Sequence, residues 1–158
     1  MDFELSDDQV ALRDAARSLL DALASPARVR AHVDSGAPLD SGLWAAMVEQ
    51  GWLGVDSTED DGGLGLGFVE AAVLLEEVGR HAAPAPFAST LLAIAATAGT
   101  DLAAHLLEGG IGAVAWDDGR GERVLVPYAP VADVVVLASP TGVVAHDLRD
   151  GGRARSVA

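Results

Sequence analysis

Apolar residues recur at helical spacing along most of the first 110 positions. The first such segment follows Ser6-Asp-Asp-Gln9, which has the pattern of a capping box with Gln9 reaching back to the serine. Its apolar positions share one helix face: Val10, Leu12, Ala16, Leu19, Leu20 and Leu23. This pattern predicts a first helix that ends before Pro26, and residues 28–34 predict one more short helix.

Two further helices are predicted on either side of a glycine-rich loop. One is capped by Asp40 or Ser41, and Gly51 stands where a helix-ending glycine belongs. Residues 52–55 are short and apolar, and we expect them to be extended. The other helix is predicted over 68–80, with its apolar face made by Val69, Ala72, Val73, Leu74 or Leu75, and Val78.

The pattern changes near Gly110. Before it, residues 87–98 predict a nearly all-apolar, buried helix, and Asp101 is the expected cap of a short helix to about Glu108. After it, valine-rich segments bounded by Gly, Pro and Asp predict four short strands, at 111–116, 124–126, 134–137 and 143–146. The expected fold is α+β: an all-α helical domain (1–110), a small, mostly antiparallel β domain (111–150) and a tail without pattern (151–158).

Charge and composition exclude several classes of function. The chain has 24 acidic and 10 basic residues, all of the latter arginine, for a net charge of −14. Such a surface repels phosphate backbones and anionic headgroups, so we expect no nucleic-acid partner and no membrane partner. The absence of cysteine excludes disulfides, thiolate zinc sites and a catalytic thiol. Without a signal-peptide pattern or an 18-residue apolar run, the chain is expected to be soluble and cytoplasmic.

The glycine-rich loop allows two interpretations. Gly63-Leu-Gly-Leu-Gly67 precedes a helix, as phosphate-binding loops do. A dinucleotide loop needs a preceding strand and a βαβ unit, however, and here predicted helices surround the loop. Glu59, Asp60 and Asp61 would also repel a pyrophosphate. A flexible connection between helices is therefore favoured over a phosphate site.

Other polar residues carry weaker signals. The four histidines lack metal-ligand spacing, and two of them fall near predicted helix ends; they are His32, His81, His105 and His146. The acidic pairs 60–61 and 117–118 lack the spacing of a calcium loop and are interpreted as solvated turns. Serine, histidine and aspartate are all present, but no nucleophile elbow is found.

The tryptophans differ in their predicted roles. Trp44 and Trp52 are expected either in the core or on a ledge beside it. Trp116 ends a predicted strand beside Asp117, which makes it a candidate site residue.

Motifs between residues 43 and 87 resemble those of a known family. They are Leu-Trp-Ala-Ala-Met-Val-Glu-Gln-Gly-Trp-Leu-Gly, a Gly-Gly-x-Gly loop, and Glu-Ala-Ala-Val-Leu-Leu-Glu-Glu-Val-Gly-Arg. Together with residues 3–20, they resemble the helical domain of the acyl-CoA dehydrogenase family over about the first 110 positions. The resemblance implies an oligomeric FAD flavoprotein of lipid metabolism, an oxidoreductase that desaturates acyl-CoA thioesters at Cα–Cβ. In that family a carboxylate base takes the α-proton while hydride passes to the flavin.

The resemblance also assigns candidate site residues, with departures from the family pattern. The family has Ser/Thr-Glu-Pro where this chain has Asp117-Asp-Gly, its flavin-stacking tryptophan becomes Leu125, and its flavin-bonding hydroxyl residue becomes Pro127. The start of the following family strand is similar to Ala132-Asp133. A remnant of the flavin site is expected at Ala115, Trp116, Asp117, Leu125, Val126 and Pro127, and the walls of an acyl site at Phe87, Leu91 and Trp116. The family's C-terminal bundle, which carries its catalytic glutamate, is not in these 158 residues, so no catalytic residue is assigned.

Three interpretations stay open from the sequence. The chain is part of a longer dehydrogenase, or works with another acyl-CoA dehydrogenase-like chain in a homo- or hetero-oligomer. Alternatively, it is a degenerate relative that serves as a structural or partner subunit without FAD. Outside the family, it is a helical interaction module with an unrelated β extension. Short strands with open edges favour the first and predict an apolar surface on the isolated β block.

Overall fold

A helical domain is followed by a small sheet, as the sequence predicts. The computed structural model describes residues 4–117 and 126–149, and the backbone alone of 153–157. The helices are α1 (Asp7–Leu23), α2 (Pro26–Ser35), α3 (Ser41–Glu49), α4 (Phe68–Arg80), α5 (Phe87–Ala96) and α6 (Asp101–Leu107). The strands are β1 (Gly112–Trp116), β2 (Val134–Ser139), β3 (Gly142–Asp147) and β4 (Arg153–Val157). The α+β class is confirmed.

Helix starts follow the predicted capping chemistry, with one correction. The capping box of α1 is present: the Gln9 amide donates to the Ser6 hydroxyl at 3.2 Å, and the Ser6 amide donates to the Gln9 side chain at 2.9 Å. Asp40 caps α3. The predicted cap of α6, Asp101, is wrong, because Thr100 fills that role. Thr100 has the extended backbone from which a side chain reaches the first free amides, whereas Asp101 already lies in the first turn.

The segment after α3 is helical rather than extended. Trp52–Gly54 forms one 3₁₀ turn, and its residues are buried. Gly51 has φ of +73°, which reverses the chain immediately after α3. Turn hydrogen bonds from Gly54 and Val55 to the residues three positions before them then close the turn.

The predicted buried face of α4 is confirmed at Val73 and Leu74 and wrong at Val69 and Ala72. Its buried residues are Ala71, Val73, Leu74 and Glu77, whereas Val69 is half-exposed and Ala72 is exposed. The buried face includes a charged residue, Glu77, whose carboxylate accepts hydrogen bonds from Arg17 of α1. Apolar periodicity cannot reveal that a glutamate belongs to the core.

The core joins the helices to the sheet. Helix α1 packs on α4, and α5 packs on β1. Trp44 and Trp52 are buried, as predicted, and Trp52 meets the ring of Phe87 edge-on, with centroids 5.9 Å apart. Since α5 contacts both α4 and the sheet, it is the central element that positions β1.

The sheet has the strand order β1-β2-β3-β4. β1 pairs with β2 in parallel, from Gly112 opposite Val134 to Trp116 opposite Ala138, and the two other pairings are antiparallel. The tail that was predicted to have no pattern contains β4. This strand pairs with β3 through the backbone, which requires no alternation of apolar and polar side chains, so the sequence pattern did not predict it. Of the predicted strand at 124–126, Val126 is not in a strand and the other two residues lie outside the described part. No described helix is long and apolar enough to cross a membrane.

Candidate functional site

Three of the candidate flavin residues are consecutive at the end of β1. Ala115 is buried, whereas Trp116 is 70% exposed. The Asp117 amide donates to the Ala138 carbonyl oxygen at 2.8 Å and extends the pairing with β2 by one residue. These three consecutive residues therefore form one edge at which an indole ring and a carboxylate adjoin.

The other candidate flavin residues lie on the connection from β1 to β2. Val126 is half-buried and Pro127 is exposed, and Leu125 lies outside the described residues. Next to them, Tyr128 has φ of +62°, and burial raises the pKa of its hydroxyl. The structure thus places part of the predicted set at β1 and part at the far end of this connection.

These described residues do not by themselves fit FAD. A flavin ring and its pyrophosphate are held by hydrogen-bond donors and positive dipoles. The Trp116 indole is the single side-chain donor among the described members of the predicted set. Pro127 has no backbone N–H either, and Asp117 adds negative charge. The edge can therefore offer a ring for stacking, but the donors must come from elsewhere.

The predicted acyl-site residues lie in different environments. Phe87 is fully buried and Leu91 is 8% exposed, whereas Trp116 is largely exposed. At the α5–β1 contact, a Cβ added to Gly112 would come 2.5 Å from the Cβ of Ala93, so the two elements touch without a gap. The acyl walls stay a prediction, and any acyl group between α5 and β1 would have to displace this contact.

Hydrogen bonds across the α5–β1 contact were missed by the sequence analysis. The Gly112 amide donates to the Thr90 hydroxyl at 3.1 Å, and that hydroxyl lies 3.3 Å from the Gly112 carbonyl oxygen, to which it donates. Thr90 is fully buried in a mostly apolar helix, whose other hydroxyl residue, Ser89, is half-buried. A hydroxyl residue inside an apolar run is the signal that could have identified it.

A second junction lies where α6 meets β1 and β2. One carboxylate oxygen of Asp133 accepts the Ile111 amide at 2.9 Å and lies 3.1 Å from Nε2 of His105. The Asp133 amide in turn donates to the Ile111 carbonyl oxygen at 2.8 Å. The aspartate that the family resemblance singled out thus ties the starts of both parallel strands to the helical domain.

A buried ion pair joins α1 to α4. The guanidinium of Arg17 donates to both carboxylate oxygens of Glu77, at 3.2 and 2.7 Å, and Glu77 is fully buried. These hydrogen bonds lower the pKa of Glu77 against the opposing effect of burial, and the same contact raises the pKa of Arg17. A carboxylate held ionised in this way is a structural group and a poor general base.

The same helix pair is joined about one turn further toward its C-terminal ends by Asp21 and His81. Nδ1 of His81 donates to the Glu77 carbonyl oxygen at 2.8 Å, and Nε2 lies 3.1 Å from the Asp21 carboxylate. Burial lowers the pKa of His81, but the two contacts outweigh it, so the pKa is raised. The position of His81 at the end of α4 is as predicted.

A groove away from the predicted site residues lies at one end of the helical domain. It has a volume of about 620 Å³ and lies between the ends of α1 and α4 and helix α2. Its charged lining includes His81 and Asp21, which pair with each other, and Arg80, which pairs with Glu76 at 3.0 Å. In the described residues, no group of three or more histidine, aspartate or glutamate side chains is arranged to hold a metal ion.

The glycine-rich loop has no free amides for a phosphate. The amides of residues 63–66 donate to carbonyl oxygens of the preceding segment at 2.7–3.0 Å; the acceptors are Thr58, Gly54, Ser57 and Val55. A phosphate-binding loop needs these N–H groups to point at the ligand. The same four bonds tie the connection between the helices to the segment that precedes it, and its flexibility stays a prediction.

The sequence matches a family model over most of its helical part. Residues 6–107 match the model described as acyl-CoA dehydrogenase, N-terminal domain. The chain belongs to the acyl-CoA dehydrogenase family. It is 35% identical over 135 residues to acyl-CoA dehydrogenase IpdE2 of Mycobacterium tuberculosis, an alignment that covers 81% of this chain and 41% of that protein.

Solved structures show the same architecture. A variant of the Tcur3481-Tcur3483 steroid ACAD has a TM-score of 0.74 and 31% identity, covering 90% of this chain and 48% of that one. The ChsE4-ChsE5 complex from Mycobacterium tuberculosis has a TM-score of 0.76 over 96% of this chain and 49% of that one, and its 23% identity shows the fold alone. This acyl-CoA dehydrogenase chain thus spans less than half the length of the relatives it matches.

The family membership decides among the three sequence-based interpretations only in part. An unrelated helical module is excluded. The predicted acyl walls Phe87 and Leu91 lie within the matched residues 6–107, whereas all the predicted flavin residues lie beyond them. The part of this acyl-CoA dehydrogenase that departs from the family pattern is therefore the sheet, where the flavin contacts are expected.

Proposed function

We propose that this chain is one part of a heteromeric acyl-CoA dehydrogenase that performs FAD-dependent α,β-desaturation of an acyl-CoA thioester. A second acyl-CoA dehydrogenase-like chain would supply the carboxylate base and most of the flavin contacts. One observation carries the proposal: the strand end where the family resemblance places the flavin exposes the large indole of Trp116. Burying such a ring against a cofactor or partner is favourable, and leaving it in water is not.

The chain's own residues would position this edge. Thr90 and Asp133 hold the start of β1 against the helical domain and thereby fix where Trp116 emerges. The ring could then cover one face of a flavin and exclude water from it. FAD, when bound, supplies the hydride acceptor of the reaction, and no residue of this chain is assigned to proton abstraction.

The names of the structural relatives support an assembly. One is a complex of two differently named chains, ChsE4-ChsE5, and another carries the paired name Tcur3481-Tcur3483 together with the words steroid ACAD. By this likeness, a steroid-type acyl-CoA is a substrate to test beside linear acyl-CoA thioesters. Hetero-oligomerisation also suits a chain whose described flavin residues offer one side-chain donor, the Trp116 indole.

A spectroscopic comparison tests the proposal. The chain would be purified alone, mixed with FAD and freed of unbound cofactor, and the assembly would be isolated from cells that encode it. We expect a colourless chain and a yellow assembly that reduces an artificial electron acceptor when given an acyl-CoA thioester. A flavin-free, inactive assembly would contradict the proposal, and so would a lone chain that retains one FAD per molecule.

A second candidate function is a structural or partner subunit without FAD. It is favoured by the absence of donors at Pro127 and by the negative charge at Asp117. An intact assembly whose flavin lies entirely on another chain would support it. Mutation of Trp116 distinguishes the two candidates: Trp116→Ala should weaken flavin retention in a shared site and leave it unchanged in a purely structural subunit.

A cytoplasmic location stays a prediction of the sequence alone. Fractionation of cells that encode the protein, with detection in the soluble cytoplasmic fraction, is the measurement that tests it.

A further inference from the structure

Four large apolar side chains are exposed within six consecutive residues. Leu64, Leu66, Phe68 and Val69 have exposed fractions of 47%, 53%, 75% and 50%. They lie on the glycine-rich loop and the first two positions of α4, and we refer to them as the loop–helix patch. Single apolar residues are normal on a surface, but four large ones this close in sequence and each about half exposed or more are the kind of group found at interaction sites.

The patch is held rigidly in its exposed state. The amides of Leu64 and Leu66 donate to the carbonyl oxygens of Gly54 and Val55, at 2.7 and 3.0 Å. A Cβ at Gly63 would overlap the carbonyl oxygen of Ser57, so the loop is in direct contact with the segment beneath it. Because the loop backbone is anchored to the core, the two leucines cannot turn inward without breaking these bonds. A preorganised surface loses little conformational entropy when a partner binds.

Carboxylates border the patch. The side chain of Glu59 lies 3.6 Å from the Cβ position of Gly65, and a carboxylate oxygen of Glu70 lies 3.4 Å from that of Gly67. Residues 59–61 are all acidic and exposed, at the start of the same loop. An apolar centre with an acidic rim selects a partner surface whose apolar centre is bordered by basic residues.

We propose that the loop–helix patch is a docking surface for the helical part of a second acyl-CoA dehydrogenase-like chain. This inference rests on the proposed function and adds the surface by which the partner is held. The Tcur3481-Tcur3483 steroid ACAD, a structural relative with 31% identity, carries the names of two chains, which supports a second chain of the same family as the occupant. The occupant's contact surface would be apolar, with arginine or lysine at its border.

A second copy of this chain is a poorer occupant. In a twofold contact the same patch faces itself, so the acidic rims of the two copies would lie opposite each other. The net charge of −14 adds long-range repulsion between copies.

Site-specific photo-cross-linking tests which occupant is present. A photoreactive phenylalanine analogue would replace Phe68 in the tagged chain, produced in the cells that encode it. The matched control places the same analogue at Val33, which is 68% exposed on α2. We expect cross-links from position 68, and not from position 33, to helical segments of an acyl-CoA dehydrogenase-like chain. Cross-links to a second copy, to an unrelated protein, equally from both positions, or to no protein would overturn the inference.

Two substitutions measure the contribution of the patch. Phe68→Ser and Val69→Ser should each weaken binding of the cross-linked partner by on the order of tenfold or more, whereas Val33→Ser should leave it unchanged. Both side chains are largely exposed, so the variants should fold normally, with unfolding midpoints close to that of the parent chain. Unchanged partner affinity in folded variants would contradict the docking surface.

The outcomes separate this inference from the proposed function. A flavin-containing, active assembly whose contacts avoid position 68 would refute the docking surface and leave the function intact. A partner cross-linked at position 68 in an assembly without flavin or activity would refute the function and leave the docking surface intact.

Discussion

The two main junctions of this molecule are built from different chemistry. Helices α1 and α4 are joined by long charged side chains, with Arg17 and Glu77 at the centre and Asp21 and His81 toward one end. Helix α5 and strand β1 are joined by small residues, where one threonine hydroxyl bonds both backbone groups of Gly112.

The two junctions should differ in how well they tolerate amino-acid substitutions. Long side chains can rearrange around a lost partner, and Arg17 is 40% exposed, so water can replace part of its contact. The α5–β1 contact is close enough that neither water nor an extra methyl group fits. We therefore expect substitutions at the α5–β1 contact to lower the free energy of unfolding more than substitutions at the α1–α4 contact.

Adding one methyl group at the α5–β1 contact should have the largest effect. In Gly112→Ala the new Cβ would come 2.5 Å from the Cβ of Ala93 and 3.2 Å from the Cα of Thr90. We expect a loss of about 3 kcal/mol in the free energy of unfolding. The control is Gly79→Ala, where nothing lies within 4 Å and the helix should gain about 0.5 to 1 kcal/mol. Denaturant titration measures both, and equal effects would show that the contact is not tight.

Removing the threonine hydroxyl should have the next largest effect. Thr90→Val keeps the shape but leaves both backbone groups of Gly112 without this partner, at a cost of about 2 kcal/mol. Thr90→Ser keeps the hydroxyl and should cost about 1 kcal/mol for the lost methyl group. Chemical denaturation of the two variants distinguishes them, and a serine variant as unstable as the valine variant would assign the effect to packing.

Neutralising the buried carboxylate tests the charged junction. Glu77→Gln removes the ion pair with Arg17 and should cost about 1.5 kcal/mol, because a hydrogen bond to a charged group is lost in a buried position. The control is the adjacent Glu76→Gln, whose exposed pair with Arg80 should contribute less than about 0.5 kcal/mol. Thermal unfolding of both variants gives the comparison, and it fails if Glu76→Gln proves the more damaging change.

The smallest effect is a pH dependence from His81. Its pKa is raised in the folded chain, so its stabilising contribution is present below the pKa of the unfolded state and lost as pH rises through the folded value. Glu77 has a lowered pKa and loses its contribution only in acid, so a scan upward from about pH 6 leaves the contribution of Glu77 unchanged. We expect the free energy of unfolding to fall by about 0.5 kcal/mol over this scan, a small change because Asp21 is 70% exposed. The fall should be smaller still in Asp21→Asn, which lacks the carboxylate that contacts His81. A steeper fall in Asp21→Asn would contradict this assignment.

The helical half of the fold could be predicted from local pattern. The capping box at Ser6, the cap at Asp40 and the limits of α4 follow from side chains that act on their nearest neighbours in sequence. The errors lie where distant segments decide. Thr100 rather than Asp101 caps α6 because of backbone conformation, and α4 turns Glu77 inward because Arg17 approaches from 60 residues away.

The candidate site could be predicted less completely. Family resemblance pointed to Trp116 and Asp133, and their exposure and hydrogen bonds give each a clear position in the structure. Thr90 went unnoticed because a hydroxyl in an apolar helix acquires its role only from the strand packed against it. The exposed leucines of the glycine-rich loop were likewise invisible as a surface, since burial is a property of the folded chain.

The α+β order, most helix limits, the strongly acidic charge and the family can all be read from the amino-acid sequence. Helix caps and apolar periodicity depend on residues that are close in sequence, and composition depends on the chain as a whole. These features can therefore be read without knowing which distant segments are in contact. Tertiary structure alone decided that Glu77 is buried, that the loop amides are used by the core, and that Trp116 and the loop–helix patch remain exposed. These are outcomes of competition for a limited interior, and that competition is settled only when distant segments pack together.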